Sequence, residues 1–245
     1  MSEKQSQDSE VASLEATPES LATRFGLHPA TTLELELEVA EDRDLGRWLV
    51  ASILLGGRTP ETLALDAFRA LDQARLSSPL RLAQAGLGEV QHHLERVGVS
   101  HSEAVAALLG RVCARLAQRH AESIDRLAAE ADGLEELAGR LAQLGSGFGK
   151  AAVFRFLTPL RNRWSAAGDL PTSPAVLAAG QDLGWIPETQ DAEGAAASLA
   201  AYAAANGGVP VRDLEAGLEK LGRAACLRGR SDRCPLAAAC PRKRE

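Results

Sequence analysis

Three of the chain's four cysteines, Cys226, Cys234 and Cys240, fall within fifteen residues in the run Cys226-Leu-Arg-Gly-Arg-Ser-Asp-Arg-Cys234-Pro-Leu-Ala-Ala-Ala-Cys240. Thiolates are soft ligands suited to zinc or an iron-sulfur cluster, and a chain without a secretory signal is expected to keep them reduced. Their crowding points to a bound metal centre. The same segment is basic: Arg223, Arg228, Arg230, Arg233, Arg242, Lys243 and Arg244 gather around the sulfurs. The fourth cysteine, Cys113, falls within a helical pattern and reads as a structural thiol.

A second candidate is Lys150, which directly follows the glycine-rich run Gly145-Ser-Gly-Phe-Gly149. Lysine has largely given way to arginine here, and Lys150 is the only lysine between Lys4 and Lys220. A guanidinium stays protonated, whereas a lysine amine that is partly desolvated can lose its proton and become a nucleophile. The competing reading is an exposed lysine that touches only phosphate.

The elements that must position these groups read as helices almost throughout. Leu45 to Leu55 forms a buried helix stopped by Gly56-Gly57. Thr59-Pro60-Glu61 reads as the cap and first turn of the next, with Leu63, Ala67, Phe68 and Leu71 on one face. Ser102 to Leu116 and Leu134 to Leu144 are amphipathic, and the glycine run joins the second of these to Lys150–Leu157. Ser173-Pro174 opens a short helix that ends near Gly184-Trp185, and an alanine-rich helix precedes Asn206-Gly207-Gly208. No alternating strand pattern emerges, so the expected fold is all-α.

At 245 residues and 45% apolar content the chain can bury a substantial core, which its 4% aromatic share requires aliphatic side chains to fill. The polar N-terminus and the lack of a long apolar stretch predict neither export nor membrane insertion, hence a cytoplasmic protein. A net charge of -6 argues against a uniformly basic DNA-coating protein, but acidic residues dominate before Leu45 and basic ones surround the cysteines. Screening keeps such regions electrostatically separate beyond about 8 to 10 Å, so a basic face can still hold phosphates.

Taken in order, Ile53-Leu-Leu-Gly-Gly-Arg-Thr-Pro-Glu61, Leu94-Glu-Arg-Val-Gly-Val-Ser-His-Ser-Glu-Ala104, Leu144 to Ala152 and Leu221-Gly-Arg-Ala-Ala-Cys226 resemble landmarks of endonuclease III and the wider helix-hairpin-helix family of DNA glycosylases. The resemblance spans about residues 30 to 240. It implies two helical lobes flanking a DNA-binding cleft, with a helix-hairpin-helix motif and a C-terminal iron-sulfur loop. The implied division is a disordered acidic head over 1–22, a helical lobe with the hairpin over 46–154, and a second lobe from 23–45 plus 155–245.

In that family the hairpin's backbone N–H groups hold a phosphate without sequence preference, which would assign Gly145, Gly147 and Gly149 to DNA contact. Aligning Leu144 and Ala152 with the family puts Lys150 in the position of the nucleophilic lysine; aligning the glycines instead puts Ala151 or Gly149 there. The family's aspartate, which steadies the cationic sugar, falls within one residue of Asp169 when counted forward and on Ser173 when counted back from Leu183-Gly184. Asp182 stands where the family has an arginine. Arg58 aligns with a residue inserted into the duplex, or else simply closes a helix. Arg228 and Arg230 would meet phosphates.

The family's four-cysteine pattern is incomplete, because Ser231 stands where a ligand is expected before Cys234. The implied cofactor is a 4Fe-4S cluster on Cys226, Cys234 and Cys240 with Ser231, another side chain or solvent as fourth ligand; zinc or no metal is the alternative. The implied activity is base excision repair of damaged bases, oxidised pyrimidines first, with or without AP-lyase cleavage, by a nucleoid-associated monomer acting on double-stranded DNA. The rivals are a catalytically lapsed paralogue that binds bent or damaged DNA and a metal-binding protein unrelated to DNA.

Overall fold

The computed structural model describes residues 16–38, 42–57, 59–121, 123–206, 208–229 and 234–241. Among these the chain forms thirteen α-helices and three short 3-10 turns, with no strand. No helix among the described residues is long and apolar enough to cross a membrane. The chain divides into two compact units, Pro29–Leu170 and Met1–His28 with Pro171–Glu245.

The Pro29–Leu170 unit holds α2 (Pro29–Thr32), α3 (Asp42–Gly56), α4 (Glu61–Gln73), α5 (Pro79–Gln84), α6 (Leu87–Arg96), α7 (Ser102–His120), α8 (Ile124–Ala129), α9 (Leu134–Gln143) and α10 (Lys150–Leu157). Its centre is α3. Leu45, Trp48, Leu49, Val50, Ala51, Ile53, Leu54 and Leu55 are all buried, an apolar surface that runs around the helix and so requires neighbours on every side. Helices α4 and α10 supply two of them. On the far side α5 and α6 pack on α7, whose Leu109, Val112, Cys113 and Leu116 face inward at helical spacing.

Beyond α10 the chain turns through Thr158–Leu160 and Ser165–Ala167. Asp125 on α8 holds this stretch: its carboxylate accepts Arg163 Nε at 3.2 Å and Nη2 at 2.6 Å, and Trp164 Nε1 at 2.8 Å. A forked guanidinium and an indole N–H thus converge on one side chain, which gives directional as well as electrostatic restraint.

The other unit holds α1 (Pro18–Phe25), α11 (Pro174–Asp182), α12 (Ala195–Ala205), α13 (Val211–Ala224) and the 3-10 turn Cys226–Arg228. Of the acidic head expected over 1–22, residues 1–15 lie outside the described residues; from Pro18 the chain is helical. Thr17 and Ser20 exchange side-chain and backbone hydrogen bonds in a capping box, and fully buried Leu21 packs into the gap left by Gly217 of α13. The Trp185 and Tyr202 rings stack with centroids 4.8 Å apart.

Helices appear close to the positions that periodicity and caps predict. One start differs. Pro60 stands at the N-cap of α4 rather than in its first turn, because its ψ of 145° is extended and the helix begins only at Glu61.

Candidate functional site

Helix α9 ends at Gln143, where Arg115 Nη1 donates to the Gln143 carbonyl at 2.9 Å, and α10 begins at Lys150. The six residues between them form a tight hairpin pinned by Leu144 and Phe148, both 1% exposed. The Phe148 amide donates to the Gly145 carbonyl at 3.0 Å. The three glycines differ in what they do. A side chain on Gly145 would press on Val112 of α7, Gly147 takes a φ of +103° that side chains resist, and Gly149 is the extended N-cap of α10 with open space around it.

Among the described residues the backbone N–H groups of Ser146, Gly147 and Gly149 meet no acceptor. Neither can those of Lys150 and Ala151, the first two positions of α10, find one within the helix. Clustered unspent donors at a helix N-terminus form a positive surface suited to a phosphate or carboxylate oxygen.

Lys150 itself is exposed, and its Nζ lies 5.8 Å from the centroid of the Phe154 ring one turn along α10. The residue lines a cavity of about 600 Å³ within this unit, together with Ile53, Leu54, Thr59, Pro60 and His101. His101 was not anticipated. It precedes α7 in the left-handed conformation, at φ 56°, which a non-glycine residue occupies at a cost. A histidine in a Gly-Val-Ser-His stretch carries no sequence signal of that role. Asp169 does not line this cavity; it is exposed in the turn before Leu170, with no described partner.

Ser173, the other position for the family's aspartate, caps α11. Its Oγ accepts the Val176 amide at 3.2 Å and donates to the Glu219 carboxylate, which also accepts Arg223 Nε at 2.5 Å. Glu219 is the unforeseen carboxylate of this unit, because nothing in its own neighbourhood of sequence predicts the meeting with Ser173.

The cysteine centre lies where α11 and α13 cross. A side chain at Gly222 would collide with the Ala175 carbonyl, so the two backbones touch, and α13 delivers Cys226 beside the C-terminal end of α11. Cys240 Sγ donates to the Asp182 carbonyl at 3.2 Å. The Cys226 thiol is pushed up to about 12, first by burial, then by its hydrogen bond to the Asp182 side chain and by the negative charges available on Asp182, Cys234 and Cys240. All three cysteines are free thiols, half-buried and in electrostatic contact. Among the described residues no group of three or more His, Cys, Asp or Glu is placed so that it could hold a metal ion. Three thiols are soft donors of the kind a metal takes, but their placement among the described residues does not form a site for one.

Arg228 is exposed on the 3-10 turn next to Cys226. Arg58, Arg230 and Ser231 lie outside the described residues. Cys113 stays apart from the sulfur cluster, fully buried in α7, with burial pushing its thiol up to about 12.

Fold and site together define an all-helical protein with a glycine hairpin, an adjoining lysine-lined cavity and a cluster of free thiols. No family model matches the chain, and no characterised protein matches it in sequence. Among solved structures it is similar to a trapped endonuclease III–DNA covalent intermediate, an estranged-adenine complex, at 16% identity over 93% of each chain with a TM-score of 0.46.

Proposed function

We propose that the chain is an endonuclease III-like DNA glycosylase that extrudes a damaged base from double-stranded DNA and cleaves its glycosidic bond, with oxidised pyrimidines as the substrate class. The observation that carries this reading is the position of Lys150, an exposed amine on a cavity wall immediately beside the unspent hairpin amides. Those amides would hold a backbone phosphate while the amine meets the sugar of a flipped nucleotide.

In that reaction the Lys150 lone pair attacks the anomeric carbon. The carbon–nitrogen bond to the base breaks and its electron pair leaves with the base, which is protonated on departure. The amine nitrogen loses its proton and the sugar ring opens to a Schiff base, from which elimination cleaves the strand in an AP-lyase step. Asp169 is the proposed charge partner of the cationic sugar. Cys226, Cys234 and Cys240 would hold a 4Fe-4S cluster. A cluster held there would be structural, steadying Arg228 and Arg230 against phosphates, and would supply no glycosidic chemistry.

Borohydride trapping on lesion or abasic duplex tests the assignment. The parent is expected to form a covalent complex and Lys150→Ala is expected to form none; equal trapping by the two removes Lys150 from the chemistry.

A second reading is favoured by two observations: Asp169 is exposed without a described partner, and the hydroxyl of Ser173 is engaged in capping α11. On that reading the chain is a lapsed paralogue that binds bent or damaged DNA. Robust duplex affinity with a steep salt dependence, and no base release from any lesion, would decide for it.

A further inference from the structure

We propose that His101 is the proton-transfer partner of Lys150: its imidazole takes the proton that the Lys150 ammonium must lose before attack, and gives it to the departing base. This rests on the glycosylase reading above and names the acid–base residue of that reaction. Among the described residues, His101 and Lys150 are the two titratable side chains lining the cavity of about 600 Å³. The lining from α3, α4 and the glycine hairpin is uncharged, and Asp169 does not reach it. The group that shares the amine's cavity is therefore an imidazole and not the carboxylate proposed for the sugar.

Packing fixes His101 from both sides. Before it, buried Val99 donates its amide to the Leu94 carbonyl of α6 at 3.0 Å. After it, Ser102 Oγ donates to Glu95 Oε1 at 3.1 Å, and the His101 carbonyl accepts the Val105 amide at 3.1 Å as α7 begins. Of the four non-glycine residues at positive φ, Glu34, Arg75, His101 and Ala121, it is the one on this cavity. The imidazole itself is exposed, does not cap α7 and has no hydrogen-bond partner among the described residues. Of the nearby carboxylates, Glu95 is engaged by Gln91 and Ser102, and Glu103 is exposed on α7.

An amine attacks only as the free base, so a proton must leave the ammonium before the bond to carbon forms. Imidazole is the side chain that both accepts and donates a proton near neutral pH, directly or through one water. In the proposed step the imidazole lone pair takes a proton from the Lys150 ammonium, and the N–H bonding pair becomes the lone pair that attacks the anomeric carbon. The glycosidic bond breaks with its electron pair on the base, and the imidazolium gives its proton to that base. His101 ends neutral, as it began.

The test uses the full chain and a duplex carrying thymine glycol, and reads single-turnover base release across pH beside duplex affinity by fluorescence anisotropy. The variants are His101→Asn and His101→Gly, both of which suit the left-handed backbone, with Lys150→Ala as control and circular dichroism reporting the fold. Base release by the parent should rise with pH as imidazole gives up its proton. His101→Asn should lose that rise and release base about a hundredfold more slowly or worse, with affinity kept within about twofold. Should the asparagine variant fail to fold, His101→Gly carries the same test. A variant that matches the parent in rate at every pH overturns the inference and leaves the glycosylase reading intact, as does one that loses affinity and rate together but keeps the parent's pH profile. A parent that releases no base, or that releases it equally well as Lys150→Ala, overturns both.

Discussion

The indole N–H of Trp48 donates to the backbone carbonyl of Phe156 at 3.0 Å, with both residues fully buried. Phe156 lies in the last turn of α10, where carbonyls have no intrahelical donor, so α3 satisfies a group that α10 cannot. The bond ties the helix that starts at Lys150 to the central helix of its unit. In Trp48→Phe the ring volume largely remains but the carbonyl is orphaned. The expected loss is about 1 to 3 kcal/mol, read as a lower urea midpoint with an unchanged slope.

Gly147 and Gly149 separate hairpin geometry from simple glycine content. At Gly147, φ is +103°, so Gly147→Ala should cost about 1 to 3 kcal/mol and weaken duplex affinity by disturbing the hairpin amides. At Gly149 the backbone is extended and the space is open, so Gly149→Ala should leave both stability and affinity nearly unchanged. Fluorescence anisotropy on a labelled duplex, beside thermal melts, distinguishes the two; equal losses would contradict the hairpin described.

Burial pushes the Cys113 thiol up to about 12 from 9.0. The folded chain therefore keeps this proton at pH values where the unfolded chain releases it. Stability from this group is complete below pH 9.0 and declines as pH rises from there towards 12, by no more than about 1.4 kcal/mol per pH unit. Cys113→Ala should show a shallower alkaline decline in urea midpoint than the parent, and the native thiol should resist alkylation at neutral pH.

For Asp125 burial alone would raise the carboxyl, but hydrogen bonds from Arg163 and Trp164 and the Arg163 charge together hold it below 3.8. Its contribution is present above 3.8 and is lost as pH falls below that value. Because the side chain is 39% exposed, Asp125→Asn should cost only about 1 kcal/mol at neutral pH. The gap between parent and variant should close on acidification, as measured by urea midpoints across the acid range.

The Phe154 ring lies beside the Lys150 amine, one helical turn along α10. Phe154→Leu keeps an apolar side chain and removes the ring face, a contact worth about 0.5 to 1 kcal/mol. Urea midpoints should fall by that amount with duplex affinity preserved, because the hairpin amides are untouched; a loss of affinity would place the ring in the DNA contact.

What could be read from the sequence is what neighbours in the chain decide. The all-round apolar surface of α3, the Ser173-Pro174 start of α11 and the glycine run that sets Lys150 at the head of α10 follow from residue types a few positions apart. Each is governed by backbone sterics, capping or helical periodicity, and these act locally. The crowding of three cysteines was visible for the same reason.

The partners of these groups were not visible, because helix crossings bring them from far along the chain. Asp182 meets Cys240 across 58 residues and Ser173 meets Glu219 across 46, and both meetings belong to a unit whose α11 and α13 make backbone contact at Gly222. His101 joins Lys150 on one cavity wall only because α7 packs beside the hairpin. Sequence determined which chemical groups this protein carries and which helix bears each one. Tertiary packing decided which groups meet, since the angle and closeness of two helices depend on how both surfaces interlock, and neither surface alone contains that information.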